Sequence, residues 1–466
     1  MLWGVLVYVA VQIAIGAVVS RRIRSEDDYL VAGRRVGFGL CLASVFATWF
    51  GAETCLSAAG GAYADGLGRL TVEPFAYGLC LLGTGLLFAV PLWRLRLTTL
   101  ADFLRERYSP FVERLTAILI VPTSVFWAAA QIRAFGLVLH SVSDVGLAFG
   151  IGMAAVISVV YTMLGGVLAD IVTDLVQGVV LVIGLLWLFV VVAQHEGGFD
   201  SMLARLDQAR VHFVGGEQPH WSTVLETWAI PVVGSMLAPE LLSRAMAAKS
   251  AATARWSMLG GGALYVVVGL VPITLGLLGP SLIPSLADPD RILPELAQSH
   301  LSRFGVVVLV GALVSAILST IDSAMLVAAS LLSRNVLLAG RVVSERARLR
   351  TARGCVLALG AVAWALASSA DSVFDLIEDS SGFGSAGIFV CVSAGLFTRV
   401  GDARAATGAL LAGAVVWGAK YVPATRTWPG VATHPYLCAL GAATVTFVVL
   451  AAVAGRRVGI RERGRA

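Results

Sequence analysis

The chain has 466 residues, of which 58% are hydrophobic and 14% are charged, and its mean hydropathy is +0.85. This composition is far too apolar for a soluble globular protein and leaves a membrane protein as the class that fits. The formal net charge of +5 indicates contact with anionic lipid headgroups. Because no nucleic-acid motif is present, the charge does not indicate a nucleic-acid partner.

Runs of about 18 to 25 mostly apolar residues, long enough to cross a hydrocarbon layer of ~30 Å as a helix, recur along the chain. They predict an all-α polytopic membrane protein with about 13 transmembrane helices. The predicted segments are 2–20, 37–62, 72–93, 112–139, 146–164, 174–194, 225–243, 256–279, 304–333, 354–370, 372–398, 405–420 and 435–455. The first segment has no basic stretch before it and is followed by Arg21, Arg22 and Arg24, which predicts a retained helix instead of a cleaved signal peptide.

The Lys and Arg residues predict the orientation of the chain, because cytoplasmic loops collect basic residues and translocated loops do not. If the N-terminus lies outside, most of the 34 Lys and Arg residues fall in cytoplasmic loops. The richest of these loops are 21–36, 94–114, 244–255, 334–353 and 456–466. The sequence therefore predicts a multi-pass protein of the cell inner (plasma) membrane, with its N-terminus outside and its C-terminus cytoplasmic.

The second and seventh predicted segments are poor continuous helices. Gly51 and Glu53 lie in the middle of the second segment, and the seventh contains Pro231, Gly234 and Pro239. Interrupted helices at matching places in two halves indicate an inverted-repeat transporter with a site near the bilayer midplane. In the alternative interpretation these residues produce only kinks, since Gly and Pro are common in membrane helices.

The interruptions divide the chain into two halves of five helices each. Residues 1–466 are predicted to form a single membrane domain. It would comprise an extra N-terminal helix at 2–20, inverted repeats at 37–194 and 225–398, and two extra helices within 405–455. No phosphate-binding loop is present to supply energy from ATP, so a gradient must drive any transport. The sequence offers no nucleophile or metal cluster of the kind that an enzyme needs.

The ninth predicted segment presents an oxygen-rich face. Residues at the helical spacing i, i+3, i+4 and i+7 share that face: Ala316, Ser319, Thr320 and Ser323. A dehydrated sodium ion takes several hard oxygen ligands, which hydroxyl groups and the backbone carbonyls of a broken helix can supply. The carbonyls of Ala47 and Phe50, just before Gly51, are the candidates. In the alternative interpretation the hydroxyls bond their own helix or join neighbouring helices.

Carboxylates accompany this face. Asp322 lies within the ninth segment, where a charged side chain costs about 2.5–3.5 kcal/mol on insertion scales and usually faces a cavity with a partner. Asp174 lies at the internal mouth of the sixth segment, and because residues 161–177 contain no Lys or Arg, a mobile cation is the expected neutraliser. In a second interpretation Asp170 and Asp174 are solvated at the membrane surface. If a proton drives transport instead, Glu53 or Asp322 is its candidate site.

Several separate stretches resemble the sodium/solute symporter family in the same order, between about residue 25 and residue 400. They include Ser25–Arg34, Tyr161–Gln177 and Ala316–Asn335. The resemblance implies the broken-helix inverted-repeat fold. It also implies a main sodium site made by the carbonyls of Ala47, Phe50 and Ala316 with the hydroxyls of Ser319 and Thr320. A second cation site, known in part of the family, would fall on Asp174, Ser319, Asp322 and Ser323.

Within this family the chain most resembles the branch of high-affinity choline transporters. The matching stretches include Ala47–Trp49, Pro74–Tyr77, Phe126–Ala130 and Leu242–Arg244. The resemblance implies that Trp49, Tyr77 and Trp127 surround a quaternary ammonium group, which cation–π attraction binds without a buried counter-charge. The chain departs from the branch where Ala238 replaces a further tryptophan and where Glu53 and Glu240 add carboxylates. The predicted substrate-binding residues are Trp49, Glu53, Tyr77 and Trp127.

The sequence thus predicts a sodium-coupled secondary active symporter that imports a small organic solute, such as a quaternary ammonium or amine compound, by alternating access. Its partners would be sodium as the coupling ion, the solute and the lipid bilayer, with no cofactor and no obligate protein partner. One alternative is sodium- or proton-coupled uptake of an amino acid, a betaine or an organic acid, whose carboxylate could meet Arg133. A more remote alternative is a transporter-like membrane sensor.

Overall fold

The computed structural model describes residues 2–20, 31–68, 71–143, 145–164, 166–211, 219–370, 373–422, 424 and 428–454. The predictions that concern Arg21, Arg22 and Arg24, the stretch 25–30 and the basic segment 456–466 lie outside the described residues.

The first half of the described chain is helical, and its helices end at residue 211. They are α1 (Leu2–Ser20), α2 (Phe38–Trp49), α3 (Glu53–Asp65), α4 (Phe75–Arg94), α5 (Leu100–Arg107), α6 (Pro110–Val142), α7 (Leu147–Leu164), α8 (Val167–His195), α9 (Phe199–Ala204) and α10 (Gln208–Val211). Ser109 caps α6 by accepting from the N–H of Val112 (3.2 Å), which fixes where this long helix begins.

The second half continues in the same way. Its helices are α11 (Trp221–Ala229), α12 (Pro239–Ala247), α13 (Ala251–Leu282), α14 (Ile292–His300), α15 (Arg303–Leu337), α16 (Glu345–Ser369), α17 (Val373–Gly382), α18 (Ser385–Phe397), α19 (Ala403–Gly418), α20 (Pro429–Thr433) and α21 (Pro435–Ala454). Among the described residues no strand forms, and the pairing of Val36 with Ala248 is an isolated bridge.

Seven of these helices are long and apolar enough to cross a membrane, as is the stretch Ser380–Phe397, which includes the end of α17 and all of α18. The bent pair of α2 and α3 raises the number of candidate spans among the described residues to nine. Shorter apolar helices cover Val7–Gly16 in α1 and Leu147–Met163 in α7. The predicted fold class, an all-α polytopic membrane protein with broken helices, is confirmed, but the predicted number of 13 spans is not. The boundaries of the two inverted repeats stay a prediction.

Helix α15 lies at the centre of the bundle. The most apolar part of α15 is 83% buried inside the protein, whereas the corresponding part of α21 is only 22% buried. α15 packs against α6 and α8 and also contacts α2, while α21 packs against α18 and α19. The hydroxylated face of the ninth predicted segment therefore lies inside the protein and not against lipid.

Helix α8 begins at Val167, well before the predicted start at residue 174. Asp170 and Asp174 consequently lie within the helix, with only 4% and 0% of their surface exposed. The interpretation in which these carboxylates are solvated at the membrane surface is wrong. The predicted segment began too late because these two acidic residues interrupt an otherwise apolar run, although the helix includes both of them.

Three membrane segments are interrupted. Helices α2 and α3 meet at an angle of 64° around Phe50–Ala52. The seventh predicted segment is not one helix, because α11 passes through a wide π-turn at Ile230–Gly234 and the chain leaves helical geometry before α12. The predicted continuous helix at 372–398 is also wrong. It breaks between α17 and α18, where Gly384 adopts the left-handed conformation (φ 70°) that favours glycine.

Helices α8 and α15 approach closely through small residues. A Cβ atom at Gly184 would lie 2.7 Å from the Cβ atom of Ala312, which is nearer than side chains normally come. Small residues at such crossings let helix backbones come together in a membrane bundle.

Replacing Gly184 with Val should therefore force the two helices apart and lower the free energy of unfolding by about 1–3 kcal/mol, the usual cost of overpacking. Thermal unfolding of the detergent-purified protein measures the effect. Gly441→Val is the matched control, because a Cβ atom at Gly441 meets no described atom within 4 Å. Equal melting temperatures for the two variants would contradict the close approach.

Candidate functional site

The first break frees backbone groups between α2 and α3. The N–H of Gly51 donates to the carbonyl two residues before it (3.0 Å), and the N–H of Ala52 donates to the side-chain oxygen of Gln131 (2.9 Å). In a continuous helix these two N–H groups would bond the carbonyls of Ala47 and Thr48. The break therefore releases both carbonyls from the helical ladder, and Gln131 satisfies one of the amides that it exposes.

The hydroxylated face of α15 meets this break. Thr320 Oγ1 donates to the carbonyl of Thr48 (2.9 Å) and to that of Ala316 on its own helix (3.2 Å). A Cβ atom at Gly51 would lie 2.8 Å from Glu53 Oε2 and 3.0 Å from Thr320 Oγ1, so glycine allows the close approach. The predicted ligands of the main sodium site are all buried: Ala47, Phe50, Ala316, Ser319 and Thr320. The structure brings the interrupted helix and the hydroxyl face together, as predicted.

The other two breaks face each other. A Cβ atom at Gly234 would lie 2.5 Å from the carbonyl oxygen of Ser381, so the π-turn after α11 contacts the end of α17 directly. Ser235 Oγ lies 3.3 Å from Ser381 Oγ, and the Tyr77 hydroxyl lies 3.2 Å from the same oxygen. Ser381 thus joins the second break, the third break and α4 through one hydroxyl group.

A cavity of about 50 Å³ lies between the three breaks, α6 and α15. Its lining includes aromatic, hydroxyl and carboxylate side chains, among them Trp49, Ser124, Trp127, Glu240, Thr320 and Ser381. The volume is enough for a few water molecules, so a larger solute requires the surrounding helices to move apart. Because Thr48 and Thr320 border the cavity, it adjoins the junction at the first break.

The three aromatic residues predicted to bind substrate form one cluster. The ring centroids of Trp49 and Trp127 are 5.6 Å apart, those of Trp49 and Tyr77 are 6.4 Å apart, and those of Tyr77 and Trp127 are 6.3 Å apart. These distances are those of rings in mutual contact. Trp49 and Trp127 border the cavity, whereas Tyr77 is not part of its lining. Of the three aromatic residues, the two tryptophans are therefore the ones that a cation in the cavity could contact.

The two extra carboxylates have different surroundings. Glu240 borders the cavity in the first turn of α12, where the positive end of the helix dipole favours a negative charge, and the Ser124 hydroxyl donates to it. Glu53, which was predicted to bind substrate, is buried away from the cavity lining and accepts from the Gln131 amide (2.7 Å). The bend at the first break turns Glu53 toward α6. The carboxylate at the cavity is Glu240.

A buried ionic cluster lies beside the hydroxyl face. Arg244, on α12, has no exposed surface, and its Nη2 atom donates to Asp170 and Ser323 and lies 3.2 Å from Asp174 Oδ2. Its Nε atom donates to Ser44 Oγ (3.1 Å). Residues 161–177 do lack Lys and Arg, as the prediction of a mobile cation at Asp174 noted, but a guanidinium from another helix reaches both aspartates.

The predicted second cation site is divided by these contacts. Ser319 donates to the other carboxylate oxygen of Asp174, and Ser323 lies against Arg244. Asp322 instead accepts from the Thr162 hydroxyl (2.9 Å) and forms no hydrogen bond to this cluster within the described chain. The structure thus brings together Asp174, Ser319 and Ser323 and places Asp322 in a different hydrogen-bonded pair.

Arg133 does not line the cavity. Its Nη1 atom donates to the carbonyl of Ala367 on α16 (3.1 Å). This contact ties α6 to α16 and provides no group for a substrate carboxylate at the site.

Sequence reasoning missed Arg244, Ser381 and the position of Glu240. Arg244 was assigned to the cytoplasmic loop 244–255, although α12 carries it into the bundle. The resemblance at Leu242–Arg244 includes this arginine but does not indicate whether it is buried. For Ser381, the local signs that the apolar run is broken were the acidic residues Asp375, Glu378 and Asp379 before it and the glycines Gly382 and Gly384 after it.

Interrupted helices around a small cavity with aromatic and carboxylate walls define a polytopic membrane protein of the broken-helix transporter class. The chain belongs to the sodium:solute symporter family, whose profile matches residues 29–415.

Among its curated relatives is the high-affinity choline transporter 1 of Drosophila melanogaster, which is 26% identical over 76% of this chain and 59% of the relative. The human high affinity choline transporter 1 is 27% identical over 77% of this chain and 64% of its own length. The sodium/pantothenate symporter of Haemophilus influenzae is 25% identical over 68% of each chain. The chain thus spans about three-fifths of the length of the choline transporters that it matches.

Two solved structures are similar in fold. A Na⁺-coupled sialic acid symporter in a substrate-bound outward-open state gives a TM-score of 0.81 at 17% identity, covering 96% of this chain and 97% of that one. Mhp1, a nucleobase-cation-symport-1 family transporter in a closed conformation, gives a TM-score of 0.62 at 16% identity, covering 91% of this chain and 95% of that one. At these identities the likeness concerns the fold alone.

Proposed function

We propose that the protein is a sodium-coupled symporter that imports a small cationic organic solute, an amine or a quaternary ammonium compound. The observation that carries the choice of solute is the cavity wall, to which Trp49 and Trp127 contribute aromatic rings and Glu240 contributes a carboxylate. Aromatic faces attract organic cations, and a carboxylate held at a helix N-terminus adds a counter-charge. The choline transporters among the relatives support the same class of solute.

The junction at the first break supports sodium as the coupling ion. The carbonyl of Ala47 has lost its helical N–H donor, and the hydroxyls of Ser319 and Thr320 lie on the facing helix. These are hard, mostly uncharged oxygen ligands of the kind that a monovalent metal ion prefers. Sodium bound there would hold α2 against α15 at the edge of the solute cavity, so that ion and solute binding would assist each other.

The basic residues of the loops support an orientation with the N-terminus outside and the C-terminus cytoplasmic in the plasma membrane. In that membrane the sodium gradient and the potential would both drive import. Each positive charge that moves down a potential of 100 mV yields about 2.3 kcal/mol. One sodium ion and one cationic solute together carry two charges and yield about 4.6 kcal/mol. Uptake should therefore be electrogenic, and the potential alone would support strong accumulation of the solute.

The cavity gives no comparable support to an anionic solute. The basic residue considered for a substrate carboxylate, Arg133, bonds Ala367 outside the cavity lining, and Glu240 would repel an anion. The alternative to sodium as the coupling ion is a proton. Uptake that depends on pH and is indifferent to sodium would favour it.

Thermal-shift measurements on the purified protein test the class of solute. Choline, glycine betaine, amino acids and simple carboxylates are each added in sodium chloride and in potassium chloride. We expect the organic cations to stabilise the protein, and more strongly in sodium, because coupled sites enhance each other. Stabilisation by carboxylates, and not by cations, would contradict the proposal.

The combined substitution of Ser319 and Thr320 by alanine tests the sodium site. We expect sodium-dependent uptake in vesicles to be lost while expression is retained, because two of the proposed ligands disappear without a change in backbone. Ser315→Ala is the matched control, since this buried hydroxyl on the same helix contacts Tyr8 and Gly311 instead. Unchanged sodium dependence in the double variant would refute the site.

Glu240→Gln tests the counter-charge. The variant keeps an acceptor for Ser124 but removes the negative charge, so the affinity for choline should fall by about tenfold or more, equivalent to ~1.4 kcal/mol, while that for zwitterionic betaine changes less. Isothermal titration in sodium measures both. The control is Glu295→Gln on α14, which removes a carboxylate that is paired with Arg291. An equal loss for both solutes would argue against a charge interaction.

A further inference from the structure

A second cavity lies apart from the one between the breaks. Its volume is about 240 Å³, and it lies where α5, the start of α6, the end of α15 and the start of α16 come together. None of the described residues that line it borders the first cavity. It is built from 94–114 and 334–353, two of the loops that their basic residues predict to be cytoplasmic, and from the helices next to them.

Guanidinium groups outnumber carboxylates in the lining of this cavity. Its charged residues are four arginines and two acidic residues: Arg105, Arg334, Arg341, Arg348, Asp102 and Glu113. The lining therefore carries an excess of two positive charges. Like charges that are held close together repel each other, so an anion bound among them would lower the electrostatic energy of the cavity.

The two carboxylates already have partners within the protein. Asn335 Nδ2 donates to Asp102 Oδ1 (3.1 Å) and to Glu113 Oε1 (2.8 Å). The second oxygen of Asp102 lies 3.6 Å from Arg334 Nη2. The second oxygen of Glu113 lies 3.7 Å from Arg105 Nε. Each carboxylate thus has a hydrogen-bond donor and a guanidinium of its own, and the excess positive charge is left for a ligand.

The depth of these groups also favours an anion. The side chains of Asp102 and Glu113 are 14% and 5% exposed, whereas those of the arginines that pair with them are 30% and 55% exposed. Arg341 is exposed too, and its guanidinium forms no hydrogen bond or ion pair within the described residues. A group that enters the cavity from outside therefore meets the arginines before it meets the carboxylates.

We propose that this cavity binds a phosphate group at the predicted cytoplasmic surface of the bundle. A planar guanidinium matches the oxygens of a phosphate with paired hydrogen bonds. Basic pockets between transmembrane helices on the cytoplasmic side bind anionic lipid headgroups, and a soluble phosphate compound presents the same chemistry. A phosphate bound there would join α5 and α16 to the end of α15, the central helix. Because the cavity is separate from the solute site, the inference holds whichever ion drives transport.

Melting temperatures of the delipidated full-length protein test the site, in an uncharged detergent and with potassium chloride as the salt. The probes are dioctanoyl phosphatidylglycerol, glycerol phosphate, inorganic phosphate and dioctanoylglycerol, which lacks the phosphate. We expect a phosphate probe to stabilise the protein, less so as the salt concentration rises, and dioctanoylglycerol to have no effect. Stabilisation by phosphatidylglycerol alone assigns the site to a lipid headgroup, and comparable stabilisation by the other two phosphates assigns it to a soluble compound.

Arg341→Gln combined with Arg348→Gln removes two guanidinium groups from the lining. The probe concentration for half-maximal stabilisation should rise by about tenfold or more, because charge-assisted hydrogen bonds to the phosphate are lost. The matched control is Arg346→Gln combined with Arg350→Gln, which removes the same charge from α16 outside the lining. If the first double variant does not fold, Arg341→Gln alone takes its place, since this exposed side chain loses no described partner and a rise in the same direction is expected.

Three results would overturn the inference. One is stabilisation of the wild-type protein by none of the phosphate compounds. Another is equal stabilisation by dioctanoylglycerol, which would show that the acyl chains and not the phosphate are recognised. The third is equal affinity of the lining variant and the control variant for the probe, which would place the phosphate elsewhere.

Discussion

A backbone group that leaves the helical ladder inside a membrane finds no water in the hydrocarbon layer, so it must be satisfied by the protein itself, by a ligand or by water in an internal cavity. The break at Gly51 meets this constraint with the amide oxygen of Gln131 and the hydroxyl of Thr320. These two contacts fix where α6 and α15 lie relative to the first break, and the carbonyl of Ala47 is left without the N–H group of Gly51, which bonds Trp49 instead. The sodium junction and the solute cavity next to it both follow from this arrangement.

A second constraint is the cost of burying charge. Asp170, Asp174 and Arg244 are nearly or completely inaccessible to solvent, and removing one partner of such a group would leave an uncompensated charge in an apolar interior. The guanidinium suits this position because its several donors can bond carboxylates and hydroxyls at once. The charge of Glu240 is stabilised in another way, by a helix N-terminus and by the hydroxyl of Ser124. Because Glu240 lies at the cavity wall, an organic cation bound there can pair with its carboxylate.

Features with a local physical cause could be predicted from the sequence. Glycine and proline residues predicted the first two interruptions. Helical spacing placed the hydroxyls of α15 on one face. The family resemblance predicted that three aromatic residues from three helices lie together. Features that depend on contacts between distant parts of the chain could not be predicted from the sequence. Arg244 and Asp170 are 74 positions apart, and nothing local distinguishes a buried arginine from one in a loop. The 64° bend between α2 and α3, whose angle no sequence pattern specifies, precedes Glu53, which lies outside the cavity lining and bonds Gln131.

The central claim is that a monovalent cation binds where the released carbonyl of Ala47 meets the hydroxyls of α15. High-resolution density of the protein in sodium, compared with thallium as a strongly scattering substitute, tests it most directly. The account predicts an ion peak bonded to the Ala47 carbonyl and the Thr320 hydroxyl. No ion peak at the first break would contradict it.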